Sequence, residues 1–328
     1  MNGRVQLAKN RELLLTASTG LLSGLLYLSY VLSFAFLVPV QHAFTGRGKK
    51  SGFIAAGIAM FVIAAGQVGR MIEMRVLDPV VLVAGVLPPL LFLAAIAFVN
   101  MKIGSLPIGG KILIASMVLA AIAAPFVMQA TADKNFSSWL VEYIGSAMSS
   151  SGIGTDGQAY ARAAVDSAIS VIQSAFAAFI LWVVASSWWI GSFYAARKAL
   201  RETQAGESLL ASIRLATMRV PYFALWPTLL SWALLFVALL TKQTGFVAAI
   251  AWNIALCSAS LYAMQGIGIV SHLFKRFNAN RLLRILAPLA IVAVALSSTA
   301  GALILIALPL LGITEVWLPY RNLKGALK

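Results

Sequence analysis

The sequence predicts an all-α fold, a polytopic transmembrane helical bundle, and three observations carry that expectation. Of 328 residues, 61% are hydrophobic and 11% charged, against about 45–50% apolar and ~25% charged in soluble domains. The apolar residues fall in long runs, and a helix needs about 20 of them to cross the ~30 Å hydrocarbon layer. The remaining charge, 25 Lys and Arg against 10 Asp and Glu, lies between the runs. The same figures exclude a soluble enzyme, a disordered chain and a disulfide scaffold.

Eight runs reach or approach spanning length: 13–38, 53–70, 79–99, 110–130, 166–194, 222–241, 246–270 and 286–317. About eight spans follow, within a range of seven to nine, in a single integral membrane domain covering 1–328. Arg4, Lys9 and Arg11 precede the first run in the manner of a signal peptide. That run far exceeds the ~7–15-residue core of a cleavable signal, so it is read as a retained span. In the second, Gly52, Ala55, Ala56 and Ala59 make a small-residue surface, and Gln67 and Arg70 lie close enough to Glu73 for a local ion pair at the membrane boundary. Segment 131–165 is predicted as an extracytoplasmic loop. Within it Phe136, Trp139, Leu140, Tyr143 and Ile144 recur at the spacing of a short amphipathic helix lying at the interface. The fifth run closes on Trp188, Trp189, Phe193 and Tyr194, an aromatic belt at the membrane edge, with Trp182 deeper. A basic loop, 195–221, follows, helical over 206–218. The last run is long for one span, and Ser297-Ser298-Thr299-Ala300-Gly301 offers a break.

Basic residues orient the chain, because short cytoplasmic loops hold an excess of Lys and Arg. Loop 195–221 has five and loop 271–285 has four, which makes both cytoplasmic and places 131–165 outside. With eight spans both termini would lie outside; a ninth, from the break near Ser298, brings the C-terminus in. The net charge of +15 therefore reports topology and contact with lipid head groups, not nucleic acid. The expected location is the cell inner (cytoplasmic) membrane.

Chemistry-bearing residues are sparse. Cys257 is the one cysteine, and His42 and His272 the only histidines, so neither a disulfide nor a metal-ligand cluster is expected. No carboxylate falls at mid-depth in any run, so a proton or cation relay has no carrier. A nucleophile needs a base within reach, and no such motif occurs; the chain is read as non-enzymatic, without a cofactor. One stripe is informative. At about 100° per residue, Ser258, Tyr262, Gln265 and His272 share an arc of about 80°, with Asn253 roughly opposite. Such a stripe faces protein or water, as a ligand-binding wall or an interhelical seam. Thr16, Gly20 and Gly24 form a second pattern, a small-residue face for partner docking or internal packing.

At Tyr262-Ala-Met-Gln265-Gly266, followed by His272 and Lys275-Arg276, the chain resembles the YybS-like family of bacterial membrane proteins. The segment Gly312-Ile-Thr-Glu315-Val-Trp317-Leu-Pro319-Tyr320-Arg321 is similar to that family's closing pattern of Gly, acid, Trp and aromatic-Arg. Pro39-Val-Gln-His-Ala-Phe before Gly46-Arg47-Gly48 is similar to its Pro-containing turn and basic-Gly loop. Three departures accompany the likeness. Glu315 stands where the family usually has Asp, Pro319 where a second acid is common, and the single run 13–38 where relatives often have two helices. The resemblance implies a module related to the substrate-binding S components of energy-coupling-factor transporters. Such a module captures a small molecule, or else scaffolds a partner in the cell envelope. S components dock on an energising module through small residues of the first helix, which makes Gly20 and Gly24 the matching positions here. The expected function is thus a small-molecule-binding or transport-associated module; the alternative is an assembly partner for cell-envelope machinery.

Overall fold

The computed structural model describes residues 2–75, 78–104, 106–150, 157–202, 219–243, 245–276, 299–318 and 320–321. Their regular structure is entirely helical. The chain runs α1 (Asn2–Leu28), a 3-10 turn (Ser33–Ala35), α2 (Leu37–Arg47), α3 (Lys49–Glu73), α4 (Pro79–Asn100), α5 (Ile108–Ala132), α6 (Lys134–Ser150) and α7 (Gly157–Glu202). A second 3-10 turn (Tyr222–Ala224) leads to α8 (Leu225–Leu240), α9 (Phe246–Arg276) and α10 (Thr299–Thr314). Six stretches are long and apolar enough to cross a membrane: Lys49–Glu73, Val81–Asn100, Ile108–Ala132, Gln158–Arg201, Tyr222–Leu240 and Phe246–Phe274. This is a multi-pass membrane protein. Its surface agrees, since Phe61 and Phe223 are three-quarters exposed while Leu37 and Ile63 are fully buried; lipid, unlike water, accepts such a face.

The structure departs from the expected elements in several places. Run 13–38 is not one span: α1 stops at Leu28, Tyr30 takes a left-handed backbone (φ +56°), and a new helix begins at Leu37. Pro39 belongs to the first turn of α2 rather than to a loop turn. A missing N–H costs nothing there, because the first four N–H groups of a helix lack intrahelical partners. Within 131–165 the expected short helix is present as α6, but the segment from Gly157 onward is already α7, and the expected loop 195–221 begins as the last turns of α7. At 46 residues α7 extends well beyond a bilayer's hydrocarbon core. The helix expected over 206–218, and Ser297-Ser298 of the expected break, lie outside the described residues; α10 is described from Thr299 on.

The chain divides into two compact units, Met1–Leu119 with Ile180–Ile213, and Ala120–Phe179 with Arg214–Lys328. In the first, α1 and α3 pack along their length and run parallel. Ser51 Oγ donates to Glu12 Oε1 at one end, and Gly66 meets Leu28 at the other. The chain between them must return. It does so by descending α1: Ser23 Oγ donates to Phe36 O at 2.6 Å, and Arg47 Nη1 donates to Leu15 O at 2.7 Å. Gly48, at φ +89°, then reverses the backbone into α3, a conformation that favours glycine. Arg70 does not pair with Glu73. Its guanidinium covers the far end of α1, donating to Leu28 O at 2.6 Å and stacking over the Tyr30 ring at 4.3 Å. Orphan carbonyls at a helix C-terminus attract a cation in this way.

In the second unit α9 packs against α8 and α10. Asn253, on the opposite side of α9 from the polar stripe, grips α7. Its Oδ1 accepts from Ala177 N at 2.9 Å and its Nδ2 donates to Gln173 O at 2.6 Å, the two groups of one helical turn.

Candidate functional site

The two sequence segments Tyr262–Gly266 and Gly312–Arg321 meet where α9 crosses α10. Glycine makes the crossing possible: a Cβ on Gly266 would lie 2.2 Å from Leu308 O, and one on Gly312 would lie 2.0 Å from Tyr262 O. Backbones this close exchange Cα–H···O contacts that a larger residue would abolish.

The approach places Gln265, 3% exposed, against the end of α10. Both amide protons are used, one to Gly312 O at 3.0 Å and one to Glu315 Oε2 at 2.9 Å. Its oxygen accepts from Val220 N at 2.6 Å. Glu315 is in turn gripped by Arg321, with Nε donating to Oε1 at 2.6 Å and Nη2 to Oε2 at 2.5 Å. The two side chains are 6% and 5% exposed. Tyr320 Oη donates to Thr314 Oγ1 at 3.1 Å and pins the turn that brings Arg321 back. Beside this cluster opens a cleft of about 120 Å³, lined by Arg219, Val220, Tyr222, Gln265, Glu315 and Val316. A guanidinium, a phenol and a carboxylate edge thus surround a small apolar space.

The four stripe residues do not form one wall. Gln265 alone touches the cleft. Ser258 shares a hydrogen bond with Ser231 of α8 at 2.9 Å. Tyr262, 1% exposed, lies beside Thr228 of α8 without closing a hydrogen bond. Both belong to a seam between helices. His272, two turns beyond Gln265, is half-buried and lines no part of this cleft.

The face expected to dock a partner is occupied within the chain. A Cβ on Gly20 would lie 2.6 Å from Ala55 O, and one on Gly24 would lie 2.6 Å from Val62 Cβ. Thr16, 2% exposed, returns its hydroxyl to Glu12 O at 2.9 Å. The small residues of α3 noted in the sequence, Ala55 and Ala59 among them, are the other half of that contact.

Helical spacing in the sequence does not mark a polar cluster that the structure holds in the first unit. Gln41, fully buried, donates to Ser192 Oγ at 3.0 Å and to Thr45 Oγ1 at 2.9 Å, and accepts from Asn100 Nδ2 at 2.7 Å. Gly191 admits it, since a Cβ there would lie 2.7 Å from Gln41 Cβ. The signal is Gln41, shortly after an apolar run, in a stretch whose Pro39 and Gly46 read as turn and loop. Arg219 falls in the expected basic loop and Tyr222 at the start of the expected sixth span, and the intervening Pro221 marks an extended step that turns both toward α9.

Comparison with protein-family models, curated proteins and solved structures finds no match for this chain.

Proposed function

We propose that this chain is a non-catalytic, small-molecule-binding module of the cytoplasmic membrane, of the YybS-like kind, whose capture site is the cleft beside Gln265. One observation supports the reading. A desolvated Glu315–Arg321 pair, fixed further by Gln265, forms one edge of a cleft that also presents Arg219 and Tyr222. Burying an ion pair is expensive and gives little net stability by itself. Held rigid at the edge of an apolar cleft, it supplies the few placed polar groups that orient a ligand in a mostly apolar pocket. Arg219 contributes a planar donor suited to a carboxylate or phosphate, and Tyr222 a face for stacking. The ligand class is a small molecule with an acidic group and a flat apolar body.

The test is thermal stabilisation of detergent-solubilised protein against a panel of aromatic and heteroaromatic acids, with Tyr222→Ala and Arg219→Ala as variants. Stabilisation by some compounds that both variants lose is the expected result. Stabilisation that survives in both variants, or none from any compound, overturns the assignment. Co-purification from native membranes decides the wider role: an ATPase with a coupling subunit accompanies a transport module, whereas cell-wall or division proteins accompany a scaffold.

A further inference from the structure

A second pocket, in the first unit, has a different chemistry. It has a volume of about 60 Å³ and is lined by His42, Gly46, Arg47, Ala195, Lys198 and Ala199. No carboxylate is among the described residues that line it. Two permanent cations and an imidazole thus converge on one space where α2 ends and α7 runs past it.

Each group is held so that part of its donor capacity stays unused. Arg47 is fixed from behind by α1, with Nη1 donating to Leu15 O at 2.7 Å and to Thr19 Oγ1 at 2.9 Å. Its Nε and Nη2 bond to no described residue. Lys198, exposed on α7, bonds to none either. His42 Nδ1 is buried and closes no bond of full hydrogen-bond geometry, with the Gly191 backbone beside the ring, while Nε2 is the nitrogen near Gly46, 4.0 Å from where a Cβ there would stand. Gly46 keeps the space open: a Cβ there would stand 3.5 Å from Ala195 Cβ and 4.0 Å from His42 Cε1 and Nε2. Anything longer than a methyl would enter the pocket. Behind it the Gln41–Ser192–Asn100 network ties α2 to α7 and α4, so the pocket wall is rigid.

Cations crowded without a counter-charge are stabilised by an anion, and guanidinium and ammonium groups together match the oxygens of a phosphate group. We infer that the His42–Arg47–Lys198 pocket is a binding site for a phosphate-bearing ligand. It admits the phosphate itself and little more, so the rest of the ligand extends outside. Two sources share that chemistry, an anionic phospholipid head group and a soluble phosphomonoester.

The experiment uses full-length protein in nanodiscs. In discs of phosphatidylcholine alone, binding of phenyl phosphate is titrated calorimetrically; in discs doped with phosphatidylglycerol, lipid retention is read by native mass spectrometry. Three variants accompany the wild type: Lys198→Ala removes a donor, Gly46→Leu fills the pocket and leaves every charge, and Arg201→Ala removes a charge from the same helix outside the pocket. Losing one charge-assisted hydrogen bond should weaken binding about tenfold. Lys198→Ala and Gly46→Leu are each expected to do so, with Arg201→Ala within about twofold, the range of screened surface charge. Phenyl phosphate binding identifies the soluble source; phosphatidylglycerol retention without it identifies the lipid. Binding of neither overturns the assignment. So does a loss equal in Lys198→Ala and Arg201→Ala with Gly46→Leu unaffected, which is the signature of diffuse surface charge. Gly46→Leu also distinguishes pocket filling from misfolding, because leucine favours a helix more than glycine does.

Discussion

Gln265 is committed on three sides, to Val220, Gly312 and Glu315. Removing it leaves a buried N–H, a carbonyl and a carboxylate short of partners, at about 1–3 kcal/mol for each unsatisfied group. Gln265→Leu should therefore lower the unfolding midpoint of the detergent-solubilised protein by several degrees, whereas Ser258→Ala, which loses one neutral hydroxyl contact, should shift it little. Equal shifts would mean that the three bonds are energetically idle. Glu315 and Arg321 give a sharper contrast. Arg321→Leu alone strands a buried carboxylate, a loss of about 3–5 kcal/mol, while the double replacement Glu315→Leu/Arg321→Leu removes both charges and should recover much of it. A double variant no more stable than the single one would show that packing, not charge burial, governs this corner. At this scale the sequence was half legible. Helical spacing placed Ser258, Tyr262 and Gln265 on one face, but period alone does not say whether that face meets a ligand or a helix. The partner is α8 for Ser258 and α10 for Gln265, whose acceptor Gly312 lies 47 residues on, and the deciding contact with α10 is the paired backbone approach at Gly266 and Gly312.

At the level of elements, the glycines do the positioning. Gly20 and Gly24 bring α1 onto α3, and any side chain there would displace the Ala55 and Ala59 carbonyls and the Val62 side chain. Gly20→Leu should thus reduce stability and yield, by about 1–3 kcal/mol or more for overpacking, measured as a lower thermal midpoint and lower recovery. Normal yield with loss of a co-purifying protein would restore the docking role that small residues at this spacing first suggested. Gly312→Ala should act in the same way on the second unit. Helix existence was readable throughout because apolar runs of spanning length have few other outcomes in lipid. Helix number was not. A continuous hydrophobic stretch hides a reversal, and nothing in the composition of 29–36 distinguishes a turn in apolar surroundings from more helix; Tyr30, Val31, Leu32 and Phe34 are all apolar and all exposed. Segment 131–165 is polar, but its aromatic spacing marks a helix, and α6 forms there with Phe136, Trp139 and Tyr143 stacked along one side.

For the whole molecule the parallel alignment of α1 and α3 changes the topology. Two parallel helices require the chain between them to travel back, so the N-terminus lies on the same side as Arg47 and Lys49. Arg4, Lys9 and Arg11 thereby share a side with Arg47, Lys49 and Lys50, and the positive-inside rule predicts that side to be the cytoplasmic one. In a Cys257→Ser background, Asn10→Cys and Lys50→Cys should both be protected from a membrane-impermeant maleimide in intact cells, and Met74→Cys labelled. Labelling at Asn10→Cys with protection at Lys50→Cys would show that α1 crosses in the opposite sense. The return path has a further consequence, for how the protein is made. A segment leaving the ribosome is admitted to the bilayer on its own hydrophobicity over about 20 residues. The stretch containing α2 offers 11 helical residues, with Gln41, His42 and Thr45 among them. It is a poor substrate by that criterion. Gln41 finds its partners in Asn100 and Ser192, which are synthesised about 60 and 150 residues later. The hairpin joining α1 to α3 is therefore expected to reach its final depth only after α4 and α7 have been delivered. On that expectation assembly is not a simple succession of crossings in the order of synthesis: the second helix waits for partners made after it.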